Sequence, residues 1–398
     1  MRVVQIINWH RFGGGSDFMA RSTADLLRAE GHDVLLMQHD SRGFHAGILG
    51  RAEAFARGIV SPMARREMRS IIRDFGPDVV HAHEVYPFHS PWVLVDCRNA
   101  GVPVVMTCHD FRLSCPVATH VTHGSSCVKC ASGYTHWCVM KNCRENWMES
   151  IGYAARSAVA NYFQLFRSNV SHFMTPSQFL RDKLVEAGYP TDRFTVVGNM
   201  VETKNEAADP GNGLYAAYAG RLAPEKGLDT LIEAARITGV PLRVAGGPPQ
   251  GLDGIDLPPN VTCVGFLDRE ALDRFYRNAR FLVVPSTWWE VFGLVAAEGM
   301  MLGLPVIATR SGGLPEVVKD NVTGFLFEAG NPVDLADKIT RLWSDATLRR
   351  TLGRNGRRKA MAEFTSSVYY TRLMSVYRAA VSGERVEEAR DTLEAGAL

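Results

Sequence analysis

Short apolar runs alternate with longer amphipathic stretches along most of this chain. Val3 to Ile7 reads as a strand, Gly13-Gly14-Gly15-Ser16-Asp17 as a turn, and the residues to about Glu30 as a helix ended by Gly31-His32. Val34 to Met37, Asp78 to His81, Val102 to Thr107, Phe173 to Thr175 and Phe194 to Val197 are further strands, with helices between them. Near 199–213 the pattern stops in a polar stretch containing Glu202, Lys204, Asn205, Glu206, Asp209, Pro210, Gly211 and Asn212. It then restarts. Leu214 to Ala219, Leu242 to Ala245, Val261 to Val264, Phe281 to Val284 and Val306 to Ala308 read as strands, and 227–239, 268–278 and 293–303 as helices. Alternation of this kind is the signature of parallel sheets with covering helices. The expected fold class is α/β, with βα domains at 1–200 and 201–365 facing across a cleft. Residues 366–382 form an amphipathic helix in need of a docking surface, and 383–398 a polar tail.

Composition narrows the function classes. The 398 residues are 46% hydrophobic and 22% charged, with a formal net charge of +2, which is ordinary for a globular protein and too small for a nucleic-acid binder. Residues 1–200 hold 21 Lys and Arg against 17 Asp and Glu, or +4; the remainder hold 23 against 25, or −2. No apolar run of about 18 residues and no secretory leader is present, so the expected location is the cytoplasm.

Candidate chemistry gathers at predicted strand ends, where ligands bind in parallel sheets. Glu290 follows the strand Phe281 to Val284, and Glu298 lies eight residues on, inside the next helix. A helix N-terminus falls between them, and its free N–H groups favour an anion. Arg221 and Lys226 stand in a second strand-to-helix turn, Ala219 to Gly227, and two cations there suit a diphosphate. His109-Asp110 ends the strand Val104 to Thr107, and His81 and His83 end another; all three histidines are cleft candidates. Gly13-Gly14-Gly15 is not a dinucleotide fingerprint, because Phe18 occupies the third glycine position, but it lets backbone approach a ligand. No Asp-x-Asp occurs, which argues against a diphosphate carried by a divalent metal.

Taken together, these residues resemble the retaining glycosyltransferase family 4 of the GT-B fold, two Rossmann-like domains across a cleft. The matching segments are Gly220-Arg221-Leu222 with Glu225-Lys226-Gly227; Glu290 and Glu298 around Phe292-Gly293-Leu294; Gly303 to Ala308; Ser311 to Glu316; and Gly324-Phe325-Leu326. The resemblance implies transfer of a sugar from a nucleotide diphosphate sugar to a hydroxyl acceptor with retained anomeric configuration. The acceptor would be a glycan, lipid-linked or a polysaccharide precursor. It implies that Arg221 and Lys226 bind the donor diphosphate, Glu298 the ribose and Glu290 the sugar hydroxyls. The backbone of Phe292, Gly293 and Leu294 would contact sugar and phosphate, Gly14 and Gly15 would lie at the cleft, and His109 would meet the reacting centre. It also implies that 366–382 docks back on the first domain. Two alternatives use a similar scaffold: a non-catalytic sugar-nucleotide-binding protein, disfavoured by the intact Arg221, Lys226, Glu290 and Glu298, and a sugar-nucleotide 2-epimerase, disfavoured by the glutamate spacing and the cysteine-rich insert.

Two segments add partners. Five of eight cysteines fall between 115 and 143, and Cys127-x2-Cys130 is a zinc-knuckle spacing that two more thiolates would complete. The family resemblance extends to a subgroup in which Cys115, Cys127, Cys130 and Cys143 are the expected tetrad for a structural zinc. Cys138 is the odd thiol, and His120, His123 and His136 are competing ligands. No cofactor is expected for catalysis. Residues 51–73 carry Arg51, Arg57, Arg65, Arg66, Arg69 and Arg73 against Glu53 and Glu67, with Phe55, Ile59, Met63, Met68, Ile71 and Ile72 able to share one helical face. Such a helix either lies on an anionic membrane or covers a domain; peripheral contact at the inner face is the first of these expectations.

Overall fold

The computed structural model describes residues 1–9, 14–40, 48–201, 206–247 and 256–384. Gly13, residues 202–205 of the polar stretch, the side chain of Arg51 and the tail beyond Glu384 lie outside the described residues. Two six-stranded sheets organise the rest. The first lobe contributes β1 (Arg2–Trp9), β2 (Asp33–Asp40), β3 (Val79–Ala82) and β4 (Val104–Thr107) to one sheet, then a two-residue hairpin, β5 (Val121–Thr122) and β6 (Ser125–Ser126), then β7 (His172–Thr175) and β8 (Phe194–Val196) back in that sheet. The second lobe contributes β9 (Tyr215–Ala219), β10 (Leu242–Ala245), β11 (Val261–Gly265), β12 (Ala279–Val284), β13 (Val306–Thr309) and β14 (Gly324–Phe327). The polar stretch lies between β8 and β9.

Every pairing in both sheets is parallel. Parallel strands need cover on both faces, which is why β3, β4, β7, β9, β13 and β14 are buried at every position. Register places one core row across the first sheet: Met37, Ile6, Ala82, Met106, Phe173 and Phe194. All six belong to a single apolar cluster. The strand orders are β2-β1-β3-β4-β7-β8 and β11-β10-β9-β12-β13-β14. Direction of winding therefore reverses between β1 and β3 in one lobe and between β9 and β12 in the other. Crevices open at the carboxyl ends of the strands flanking such reversals; these strands carry most of the candidate residues, and His109 follows β4, the next strand along.

Residues Ser366–Ser382 are helical and dock on the first lobe, as the resemblance implied. Leu373, Val376 and Tyr377 pack in one cluster with Val3, Met19, Leu27, Val79 and Val105. Three tyrosines fasten the helix. Tyr369 meets Thr23 Oγ1 at 3.0 Å, Tyr370 meets His32 Nε2 at 2.9 Å, and Tyr377 meets His81 Nδ1 at 2.7 Å.

The basic stretch 51–73 is not one helix. It is Ile48–Ile59 and Pro62–Phe75, broken where Ser61 caps the second helix and Pro62 opens it. Met68, Ile71 and Ile72 pack against the protein core, and Arg65 is held by the buried Asp96 carboxylate at 2.7 and 2.9 Å. The apolar face of the second helix is thus spent on the domain. Among the described residues no helix is long and apolar enough to cross a membrane.

Tyr377→Phe removes the hydroxyl that meets His81 Nδ1 and, among the described residues, leaves that buried ring nitrogen unpaired. The expected cost is about 1–2 kcal/mol, read as a melting temperature lowered by a few degrees. An unchanged melting temperature would show that the helix is held by packing alone.

Candidate active site

Glu290 lies in the loop after β12. Its Oε1 accepts from Lys226 Nζ at 2.5 Å and from Ser286 Oγ at 2.6 Å. Burial alone would raise its carboxyl, but the charge and hydrogen bond of Lys226, helped by Ser286, outweigh that and hold it below the usual range. Two glycines make the pairing possible. Gly227 has φ +70°, and a Cβ there would stand 1.9 Å from Pro285 O. The turn carrying Lys226 can therefore lie directly on the end of β12, where Thr287 N donates to Glu225 O at 3.0 Å. Gly312 has φ +63°, and a Cβ would stand 2.2 Å from Glu290 O. This close approach lets Gly313 N donate to Glu290 O at 2.7 Å.

Glu298 sits in the helix Leu294–Met301, where Tyr276 Oη donates to its Oε2 at 3.3 Å. Burial pushes its carboxyl up to about 7, against the hydrogen bond from Tyr276. The Arg221 side chain is 63% exposed and pairs with Glu225 at 3.2 Å. Phe292 turns its ring into the core against Phe364, ring centroids 5.2 Å apart. Gly293, at φ +99°, caps the helix that Leu294 begins.

Across the cleft, Gly14 caps the helix Gly15–Ala29, and a Cβ on Gly15 would stand 2.9 Å from Leu294 Cδ1. The glycine turn of the first lobe thus meets the helix that carries Glu298. His109 follows β4, and its Nε2 stands 3.0 Å from His83 Nδ1, the rings stacked. Burial lowers His109 to about 4, although Asp110 and Glu84 pull it upward. His83 is lowered further, by burial and then by His81 and His109. Both rings are therefore neutral near pH 7. Among the described residues His83 Nε2 is buried without a partner, and an orphaned N–H costs more than an orphaned lone pair. The proton of His83 accordingly sits on Nδ1 and is donated to His109 Nε2, so His109 carries its own proton on Nδ1.

Sequence reasoning missed the groups that fix this loop. Arg112 donates to Asp110 at 2.5 Å and also to Glu84. Glu316 of the second lobe accepts from Gln178 N and Phe179 N, both at 2.7 Å, at the start of the helix Gln178–Glu186. A carboxylate at a helix N-terminus is favoured, and here it ties the lobes together. Trp289, next to Glu290, reaches the first lobe, its ring 5.5 Å from Phe179, 6.1 Å from Phe111 and 5.8 Å from His120. The cysteine-rich insert thereby touches the loop that holds Glu290. A serine before a carboxylate was a readable signal for Ser286; long-range partners such as Glu84 and Arg112 had none.

The residues now in view are two acidic groups, one cation and a histidine between two parallel-sheet lobes. The family model for Glycosyltransferase Family 4 matches residues 13–205, and that for Glycosyl transferases group 1 matches 200–359. The two models together span residues 13–359, and they identify the chain as a glycosyltransferase. The glycosyltransferase is 29% identical over 294 residues to an uncharacterised glycosyltransferase of Methanocaldococcus jannaschii, covering 73% of this chain and 72% of that one. It is 37% identical over 184 residues to D-inositol 3-phosphate glycosyltransferase of Mycobacterium sp. strain KMS, covering 43% and 42%. It thus spans less than half the length of that curated relative. Its fold is that of sucrose-phosphate synthase from Thermosynechococcus elongatus, with TM-score 0.72, 21% identity, and coverage of 96% and 100%. Anabaena HepE, solved with UDP and glucose, shares it at TM-score 0.66 and 18% identity over 95% and 100%.

Lys226→Met leaves the Glu290 carboxylate with its counter-charge gone. The expected destabilisation is about 3 kcal/mol, because the pair is only 18% and 15% exposed. Adding Glu290→Gln should restore most of it. Stability that is unchanged in the single variant, or no better in the double, would show that the ion pair does not hold this loop.

Proposed function

We propose that the glycosyltransferase moves a sugar from a nucleotide diphosphate sugar to a hydroxyl on a glycan or lipid-linked acceptor, with retained configuration. The observation that carries this reading is the Lys226–Glu290 pair, set at the winding reversal of the second sheet opposite the glycine turn of the first. Lys226 exchanges Glu290 for the donor diphosphate, and the released carboxylate accepts from sugar hydroxyls. Backbone N–H groups at the start of the helix Leu294–Met301 share the phosphate charge. Arg221, exposed without ligand, swings to the same phosphates. Glu298 accepts from the ribose hydroxyls. His109 offers its Nδ1 proton to the sugar. In the reaction the bond from the anomeric carbon to phosphate oxygen breaks, and the acceptor oxygen bonds to that carbon on the same face. The acceptor proton passes to the departing phosphate. The eight cysteines are all free thiols, which suits a reducing, cytoplasmic setting, and a lipid-linked acceptor would bring the enzyme to a membrane surface.

A thermal-shift screen with UDP-, GDP-, ADP- and TDP-sugars tests the donor reading, because a ligand of the native state raises its melting temperature. One donor should stabilise the protein and be slowly hydrolysed without acceptor; no stabilisation by any of them would end the proposal. Glu298 sets the pH dependence. Its carboxyl titrates at about 7 without ligand, and the ionised form is the better acceptor for ribose hydroxyls. Donor affinity should therefore tighten as pH rises through that value, and Glu298→Gln should flatten the profile.

We also propose a structural zinc in the insert. Cys115, Cys127, Cys130, Cys138 and Cys143 all line one small cavity. Among the described residues no three metal-binding side chains already stand at bonding geometry, so the thiols would have to close by rotation. Cys138 stands beside Cys143, Cys130 and Cys115 and also meets Ser150 O at 3.8 Å, so its own variant decides whether it is a ligand. His120 is committed through both ring nitrogens, to Ser114 and Cys127 O. Elemental analysis should find one zinc per chain, lost in Cys130→Ser and kept in Cys138→Ser. Metal-free protein as purified would refute the site.

A further inference from the structure

The helix Trp147–Tyr162, which follows the cysteine-rich insert, exposes an apolar face. Met148, Ile151, Ala158 and Tyr162 are exposed, with half-buried Ala155 between them, at three- and four-residue steps that share one side of a helix. Met148 is 78% exposed and Tyr162 82%. The only charged side chains of this helix are Glu149 and Arg156. Glu149 pairs with Arg144, and Arg156 turns inward over Tyr86 and Tyr153, donating to Pro116 O. The apolar stripe is about 21 Å long at the usual helical rise. Exposed Trp147 and Met140 extend it at one end and Phe163 at the other.

This stripe is continuous with the basic helix Pro62–Phe75. Tyr162 stacks edge-on to Phe163, Phe163 lies 5.3 Å from Trp92, and Arg65 lies over Trp92. Arg66, Arg69 and Arg73 are exposed on that same helix. Residues 51–75 hold six Lys and Arg against three acids, and residues 128–168 hold five against two, or +3 for each segment. Together they carry +6 on a chain whose formal net charge is +2. Large apolar side chains flanked by a cationic rim are what a bilayer surface with anionic lipid binds. Two copies of the chain would bring like charges together instead.

We infer that the apolar side of Trp147–Tyr162 lies in the headgroup region of an anionic membrane, with the arginines of Pro62–Phe75 on lipid phosphates. The inference rests on the lipid-linked acceptor reading for its purpose, and its test reads binding, not turnover. Full-length protein is sedimented with phosphatidylcholine vesicles with and without phosphatidylglycerol, at low and high salt. Wild type should pellet with the anionic vesicles at low salt. Met148→Glu with Tyr162→Glu should lower partitioning by at least about tenfold. Arg66→Gln and Arg73→Gln should each lower it roughly fivefold, on anionic vesicles only. All variants should keep the donor-induced rise in melting temperature. Wild type that stays in the supernatant, or a glutamate variant that binds as well as wild type, overturns the inference. So does a dimer in light scattering that the glutamate variant splits, because the stripe would then meet a second copy. Vesicle binding without any donor stabilisation would instead sink the donor reading and leave the membrane surface standing.

Discussion

The charge on Glu290 is the constraint around which the second lobe is arranged. A carboxylate that is largely withdrawn from water needs a counter-charge and donors, and the fold supplies them from three separate places. Lys226 comes from the turn after β9, Ser286 from the end of β12, and the peptide that carries Glu290 is gripped by Gly313 after β13. The contacts from Lys226 and Gly313 depend on backbone passing where no side chain would fit, at Gly227 and Gly312. The glycines and the charges are one device, and neither has an evident purpose alone.

Much of the architecture was legible because parallel strands must be apolar on both faces. Runs such as Val104 to Thr107 and Phe281 to Val284 announce themselves. β14, Gly-Phe-Leu-Phe, was seen only as a motif because four residues give too little period to separate a strand from a turn. The stretch 51–73 was read as one helix because its apolar spacing carries across Ser61-Pro62. The cap and the proline were the better signal, and burial of Met68 decides the matter.

The candidate site was legible in kind but not in pairing. Glu290, Lys226, His109 and the glycine turn were identifiable from strand-end placement. That Lys226 rests on Glu290, 64 residues away, is tertiary information. The same holds for Arg112 between Asp110 and Glu84, and for Glu316 reaching across to Gln178. Arg221 rests on Glu225, four residues on in the same turn. The ring of Trp289 packs among Phe111, Phe179 and His120, and turns the insert into a wall behind the Glu290 loop.

The docking of Ser366–Ser382 on the first lobe has a consequence for biosynthesis. Val3, Met19, Leu27, Val79 and Val105 are all translated early, yet the side chains that cover them come from the seventeen residues of this helix. While the second lobe is still being made, the nascent first lobe carries an oily, uncovered flank. It must wait, shielded by a chaperone or by its own looseness, until the distant segment leaves the ribosome and closes it. Completion of the amino-terminal half is therefore timed by the synthesis of the carboxyl-terminal one.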